Sequence, residues 1–504
     1  MDPTGVAEQH VRVAVIGSGF GGIAVAVMLR RRGERSFVLL ERGDDVGGTW
    51  RDNTYPGCAC DVKSQIYSYS FALNPSWSRS FSPQPEIQAY LRRVADDFDV
   101  RGHVRLNTVV TGAQWDDDAQ HWRIETSGGT FTADVLVAAG GGLSEPKIPD
   151  LPGLDTFTGE LFHSAQWRHD VDLTGKRVAV VGTGASSIQI TPHVAQAAAH
   201  TTVFQRTPPW VMPRNDRAIS PRTRALFRRF PIAQRVARLA VYLRFEMAVL
   251  AFTGHPRINR IGAAGARAHL HKQVRDPELR KVLTPRFALG CKRVLLSDDY
   301  YPALGRPDVT VVPHGVTAVT PTGVVAADGS EHTLDAIVFS TGFHVTDAPL
   351  AAVLRDGAGR SIADVYAGSM QGYKGSTVAG FPNLFWISGP NSALGHNSII
   401  FMIESQLPYL SGALDHLAAT GAAAWDVDRR VQDAYNARLQ RDLVGTVWND
   451  GGCQSWYLDA HGRNVTIWPH STLRYRRELR RFDPEAYTFL PRRVRESTPT
   501  ELPV

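Results

Sequence analysis

Short, densely apolar runs near the start of the chain predict strands buried on both faces, as in a parallel sheet. Residues 11–16 (VRVAVI) form the first run, and Gly17-Ser18-Gly19-Phe20-Gly21-Gly22 follows at once. Small and apolar helix formers then fill 23–32 until Gly33 stops them, and 37–40 form a second strand ending at Glu41. This is one βαβ unit. The pattern recurs about 165 residues later, with a strand at 177–181, a turn Gly182-Thr183-Gly184-Ala185-Ser186-Ser187, a helix at 188–199 and a strand at 201–205 ending at Arg206. Residues 134–139, before Gly140, and 335–341, before Gly342, read as apolar strands whose ends meet a ligand or a domain crossing. Residues 216–283 are Arg-rich, helical in period and free of strand runs, which predicts a helical insertion. Its apolar run at 236–252 is interrupted by Arg238, Arg244 and Glu246, a poor membrane span; a packed amphipathic helix is the first reading and a helix on a membrane surface the second. A further apolar helix is expected at 398–414, after Gly389-Pro390-Asn391.

Composition narrows the class. With 504 residues, 43 % apolar and 21 % charged, the chain is neither disordered, nor collagen-like, nor a coiled coil. The net charge of +6 comes from 48 arginines and only seven lysines against 49 acids. That charge is spread along the chain, so no nucleic-acid partner is expected. Four cysteines in this length suggest no disulfide framework, and the 17 histidines show no metal-ligand spacing. No targeting segment or membrane span is expected, which suits a cytoplasmic protein, and the polar tail from Pro491 is expected to be loose.

The two glycine motifs carry the chemistry. Gly17 allows the tight turn, Gly19 lets backbone approach a pyrophosphate, and Gly22 lets helix and strand pack closely. The helix N-terminus offers free N–H groups to the phosphates. Glu41 lies where an acid can hold ribose hydroxyls. In the second unit Gly182 and Gly184 keep their places, Ser187 replaces the third glycine, and Arg206 stands where the first unit has Glu41. An arginine there suits a 2′-phosphate, hence NADPH rather than NADH. One site with Glu and one with Arg indicates FAD plus NADPH, with hydride passing from nicotinamide to flavin. A dithiol acceptor is disfavoured, because Cys58-Ala59-Cys60 is not a CxxC and Trp50 stands where disulfide reductases of this architecture carry a cysteine. Cys58 and Cys60 read as packed thiols.

Beyond these motifs the chain resembles the FAD- and NADPH-dependent Baeyer–Villiger monooxygenases. The likeness rests on Phe157-x-Gly159-x-x-x-His163-x-x-x-Trp167 between the two nucleotide motifs, and on Gly48-x-Trp50-x-x-x-x-Tyr55-Pro56-Gly57-x-x-x-Asp61. It continues in Gly290-Cys291-Lys292-Arg293 with Asp299-Tyr300-Tyr301, and in Thr446-Val447-Trp448 and Ser455-Trp456-Tyr457. Arg168 departs from the Pro or Asp that follows the fingerprint Trp in that group. This keeps an N- or S-oxygenating flavin-containing monooxygenase as the second reading.

The resemblance implies that NADPH reduces FAD, that a C4a-peroxyflavin forms with O2, and that one oxygen atom enters a ketone to give an ester or lactone. It implies catalytic roles for Arg293, which would stabilise the peroxide and the adduct oxyanion, and for Asp61, which would orient Arg293. Lys292 and Thr207 would join Arg206 at the 2′-phosphate, because neighbours in an extended segment point opposite ways. Trp50 would stand near the flavin and Trp456 near NADP or substrate. Phe157, Gly159, His163 and Trp167 would form a hinge between domains, with His163 a hydrogen-bonding residue rather than a base.

The expected architecture is α/β, with two Rossmann-like domains and the insertion. The FAD-binding domain takes 1–150 and 334–504, the NADPH-binding domain 151–215 and 284–333, and the insertion 216–283.

Overall fold

The computed structural model describes residues 8–493. Two largely parallel sheets organise it. The first sheet has eight strands. Gln9–Ile16 lies at its centre, parallel to Phe37–Leu40 on one side and to Gly129–Ala138 on the other. Val104–Arg105 extends it past Phe37–Leu40, and Leu384–Trp386 adds a parallel strand against the end of Gly129–Ala138. A meander of Val110–Asp116, His121–Thr126 and Gly129–Ala138 follows on the far side, and Leu354–Arg355, parallel to Val110–Asp116, is the eighth strand at its edge. The second sheet has five strands, all parallel, in the order Val309–Val312, His200–Phe204, Arg177–Val181, Ala336–Phe339, Glu160–His163. All four residues of Phe37–Leu40 and of Ala336–Phe339 are buried, as strands covered by helices on both faces require.

Both glycine turns are confirmed, and each abuts the end of a neighbouring strand. A Cβ on Gly17, which has φ +98°, would meet the Ala139 carbonyl oxygen at 2.8 Å. One on Gly182, with φ +114°, would meet the Ser340 carbonyl oxygen at 2.5 Å. A Cβ on Gly22 would lie 1.9 Å from the Gly17 carbonyl oxygen, so only glycine lets helix Phe20–Arg31 sit this close to its strand. Ser187 solves the same problem differently: its hydroxyl donates to the Gly182 carbonyl at 2.6 Å.

Several expectations are corrected. Strand Ala336–Phe339 belongs to the second sheet, so that sheet draws on chain beyond residue 333. Cys291 and Cys453, 162 residues apart in sequence, are disulfide-bonded, a pairing that spacing could not reveal; Cys58 and Cys60 are free and buried. Pro491 and Arg493 are held by Gln120, while residues 494–504 of the expected loose tail lie outside the described residues.

The insertion is helical, from Pro221–Arg229 through Pro231–Met247 and Pro256–Gln273 to Pro277–Val282. The long helix Pro231–Met247 is amphipathic in reverse of the expected sense. Gln234, Tyr242 and Glu246 are buried, whereas Ile232, Val236, Leu239, Leu243 and Met247 are exposed. The inward polar groups find specific partners: Gln234 donates to the Asn74 carbonyl, Arg238 to that of Gln65, and Glu246 accepts from Thr472 and Asn397. Among the described residues no helix is long and apolar enough to cross a membrane.

Replacing Gly22 by Ala is expected to destabilise the fold by about 1–3 kcal/mol, because helix and strand must separate. Urea unfolding of the purified variant against the parent chain measures this.

Candidate active site

Glu41 ends the second strand and is buried. One of its carboxylate oxygens accepts from the Ser18 backbone N–H at 2.9 Å and the Ser18 hydroxyl at 2.7 Å. The other accepts from the Gly43 N–H at 2.8 Å and from Arg51 at 2.6 Å. Burial raises its pKa, but Arg51 and these donors outweigh it, so Glu41 stays ionised below the usual carboxylate range. Arg51 was not visible as a partner in the sequence, although it sits directly after Trp50. Beside this acid the backbones of Gly19 and Gly48 approach each other, and a Cβ on Gly48 would come within 3.1 Å of the Gly19 Cα. Gly17, Gly19, Gly48 and Glu41 thus form a bare-backbone cradle with an acid at its end, which fits the pyrophosphate and ribose of FAD. Trp50 is buried next to it and donates its indole N–H to the Tyr67 hydroxyl at 3.0 Å.

Arg293 and Asp61 meet as the resemblance implied. The guanidinium donates from Nε to Oδ2 at 2.7 Å and from Nη2 to Oδ1 at 2.8 Å. Burial pushes the Asp61 carboxyl up, but Arg293 overrides it and holds the group below its ordinary value. Asp61 in turn holds Arg293 protonated against the cost of burial. The two side chains keep 24 % and 31 % of their surface, so the pair lines an opening rather than a closed core. Tyr457 lies close enough to feel the pair, its phenol pushed up to about 12 by burial. Exposed Trp456 packs edge-on against Tyr457 with ring centroids 4.5 Å apart. Arg214, which sequence reasoning did not single out, donates to the Cys60 carbonyl at 3.2 Å and adds positive charge near Asp61. It also lines a cleft of about 340 Å³ with Tyr55, Cys58, Phe81 and Asp216.

Lys292 lies over the Phe287 ring, 5.5 Å from its centroid. Burial lowers its pKa, and repulsion from Arg206 lowers it further. Among the described residues neither cation has a carboxylate partner within ion-pair distance. Two cations held together without an anion fit a phosphate. Thr207 follows Arg206, and its carbonyl accepts from the Thr183 hydroxyl at 3.0 Å. Gly184 opens the helix Ala185–Ala197, and a Cβ there would meet nothing within 4 Å, which leaves room for a bound phosphate. The disulfide ties the loop before Lys292 to Cys453, and Gly451 packs so closely that a Cβ would strike Cys291.

The fingerprint residues are packed in and around an edge strand of the second sheet rather than in a free linker. Phe157 packs into that sheet's apolar cluster, and a Cβ on Gly159 would clash with the Asp335 carbonyl oxygen at 2.5 Å. His163 ends the edge strand, fully buried. Its Nδ1 accepts from the Ala165 N–H at 3.1 Å, and its ring meets Phe343 edge-on. Trp167 packs edge-on against Phe162. Arg168 points to solvent and pairs with Glu160 and Asp170, so its departure from the fingerprint stays at the surface. Glu246, Asn397 and Thr472 form a buried polar cluster with His396 that no motif announced. Glu246 is held at about 2 against the effect of burial by the nearby His396 ring, 3.6 Å away, and by hydrogen bonds from Thr472 and Asn397. Among the described residues there is no metal-ligating cluster.

The family model for pyridine nucleotide-disulphide oxidoreductases matches residues 14–241. A Baeyer-Villiger monooxygenase of Streptomyces coelicolor is 53 % identical over 486 residues, covering 96 % of this chain and 93 % of its own length. One from Pseudomonas aeruginosa is 46 % identical, covering 96 % and 92 %. The crystal structure of OTEMO in complex with FAD and NADP superposes with a TM-score of 0.84 at 26 % identity, over 96 % of this chain and all of that one.

Burial lowers the His163 pKa to about 4. Its folded value lies below the unfolded one, so the chain loses stability as pH falls from about 6.5 to about 4, by up to roughly 3 kcal/mol. His163→Asn keeps an acceptor at the start of the turn and is expected to flatten that decline. Urea unfolding midpoints at pH 7 and pH 5 test it.

Proposed function

The chain belongs to the Baeyer–Villiger monooxygenases, and from that membership we propose how its own residues carry the reaction. The enzyme uses FAD, NADPH and O2 to convert a ketone to an ester or lactone. The balance is ketone, O2, NADPH and one proton to ester, NADP+ and water. The N- or S-oxygenating alternative is not favoured. FAD supplies the activation of oxygen. What remains for the protein is to hold both nucleotides, keep charge in place and exclude water.

The observation that carries the assignment is the two-pronged Arg293–Asp61 pair. A guanidinium cannot release its proton at working pH, so it offers fixed positive charge where negative charge develops on oxygen. Asp61 positions it and holds its charge. Two N–H groups of the guanidinium are committed to Asp61, which leaves others for the reacting oxygens. Arg206, Lys292 and Thr207 bind the 2′-phosphate of NADPH. Gly17, Gly19, Gly22 and Glu41 seat FAD, with Trp50 and Asp61 beside it, and Gly182, Gly184 and Ser187 seat NADPH. Phe157, Gly159, His163 and Trp167 couple the second sheet to the crossing at Gly342 and Phe343, which supports a hinge role. The FAD-binding domain comprises 1–150 and much of 334–504, the NADPH-binding domain the chain between, with the insertion at 216–283. A small ketone and O2 are its reaction partners, and we place it in the cytoplasm because NADPH is regenerated there.

Arg293→Ala is expected to retain FAD but lose ester formation by 100-fold or more, on the order of the loss of one oxyanion donor. Mass spectrometry of products from a ketone panel under labelled oxygen reads this, and an ester carrying label at the parent rate refutes the role. Arg206→Ala is expected to raise KM for NADPH at least tenfold while leaving KM for NADH nearly unchanged, since a lost phosphate contact is worth about 1.4 kcal/mol or more. Equal effects on both cofactors would remove the 2′-phosphate assignment.

A further inference from the structure

Among the described residues, the outer face of the helical insertion has no partner. Of the 16 large hydrophobic residues exposed among the described residues, nine fall between Leu226 and Ile261. Five of them, Ile232, Val236, Leu239, Leu243 and Met247, lie on helix Pro231–Met247. At about 100° per residue they fall within roughly 80° of arc, a single stripe. Exposed Arg235 and Arg244 flank it on either side. The insertion itself supplies almost no acid: between Asp216 and Asp276 the chain has twelve arginines and one carboxylate, Glu246, which is buried and turned inward. Among the described residues only Arg238 of these arginines approaches a carboxylate, Glu404 at 3.9 Å.

An apolar stripe bordered by arginines, on a helix with no outward acid of its own, is the chemistry of a helix lying in a bilayer interface, with the stripe among acyl chains and the guanidinium groups among lipid phosphates. We propose that this face docks the enzyme on an anionic lipid surface. A second copy suits it less, because a two-fold contact of stripe on stripe brings the arginines of both copies together. The inner face of the same insertion reaches the site: Phe252 packs against Trp448, and a Cβ on Gly290 would strike its ring. The docking stands on this face alone and is independent of the ketone reading.

The test uses the FAD-loaded full chain with vesicles of phosphatidylcholine alone or of equal phosphatidylcholine and phosphatidylglycerol, separated by flotation. The parent chain is expected to float with the phosphatidylglycerol vesicles and not with phosphatidylcholine alone. The Arg235→Gln/Arg244→Gln double variant is expected to bind roughly 10- to 30-fold more weakly, and Leu239→Gln/Leu243→Gln to lose flotation. Both variants should keep the parent rate of NADPH oxidation without vesicles, which shows that they fold. Three outcomes overturn the proposal: a parent chain that does not float with phosphatidylglycerol, flotation that survives Leu239→Gln/Leu243→Gln, or a dimer by light scattering that this variant turns into a monomer.

Discussion

Moving a guanidinium out of bulk water costs several kcal/mol unless an anion meets it with good geometry. Arg293 is met by Asp61 on two atoms at 2.7 and 2.8 Å. The contact spans 232 residues of sequence, so it forms only when the segment after the first glycine motif and the segment after the insertion are both in place. Its value lies less in net stability than in orientation, since a two-pronged pair leaves the guanidinium little freedom to turn. Everything proposed for the reaction depends on that orientation: positive charge fixed at the flavin side, with Lys292 turned toward Arg206 on the other.

A second constraint shapes the frame that delivers these residues. In each unit a glycine turn is pressed against the end of a neighbouring strand, Gly17 on Ala139 and Gly182 on Ser340. Both strands were visible in the sequence as apolar runs closing on glycine, and their ends do meet the nucleotide turns. That regularity follows from a parallel sheet, where the carboxyl ends of adjacent strands lie side by side and the ligand crevice opens above them. The insertion illustrates the opposite case. Its helical period was legible, but which side of helix Pro231–Met247 faces the protein was not. Burial of Arg238 and Glu246 depends on partners at Gln65, Asn397 and Thr472, supplied from distant parts of the chain.

The sequence by itself determined the two βαβ units, the glycine positions, the Glu41 and Arg206 contrast and, through resemblance, the Asp61 and Arg293 pairing. These are local patterns, because a turn, a strand or a helix start depends on residues within a few positions. Tertiary structure alone decided that Arg51 and Ser18 saturate Glu41, that Arg214 reaches Cys60, that Cys291 joins Cys453, and that Ala336–Phe339 completes the second sheet. Each of these joins groups that spacing cannot rank, since 48 arginines offer many candidates for any one acid and four cysteines allow several pairings. Side-chain charge says what a residue can bind, but only the folded backbone brings a particular partner within hydrogen-bond reach.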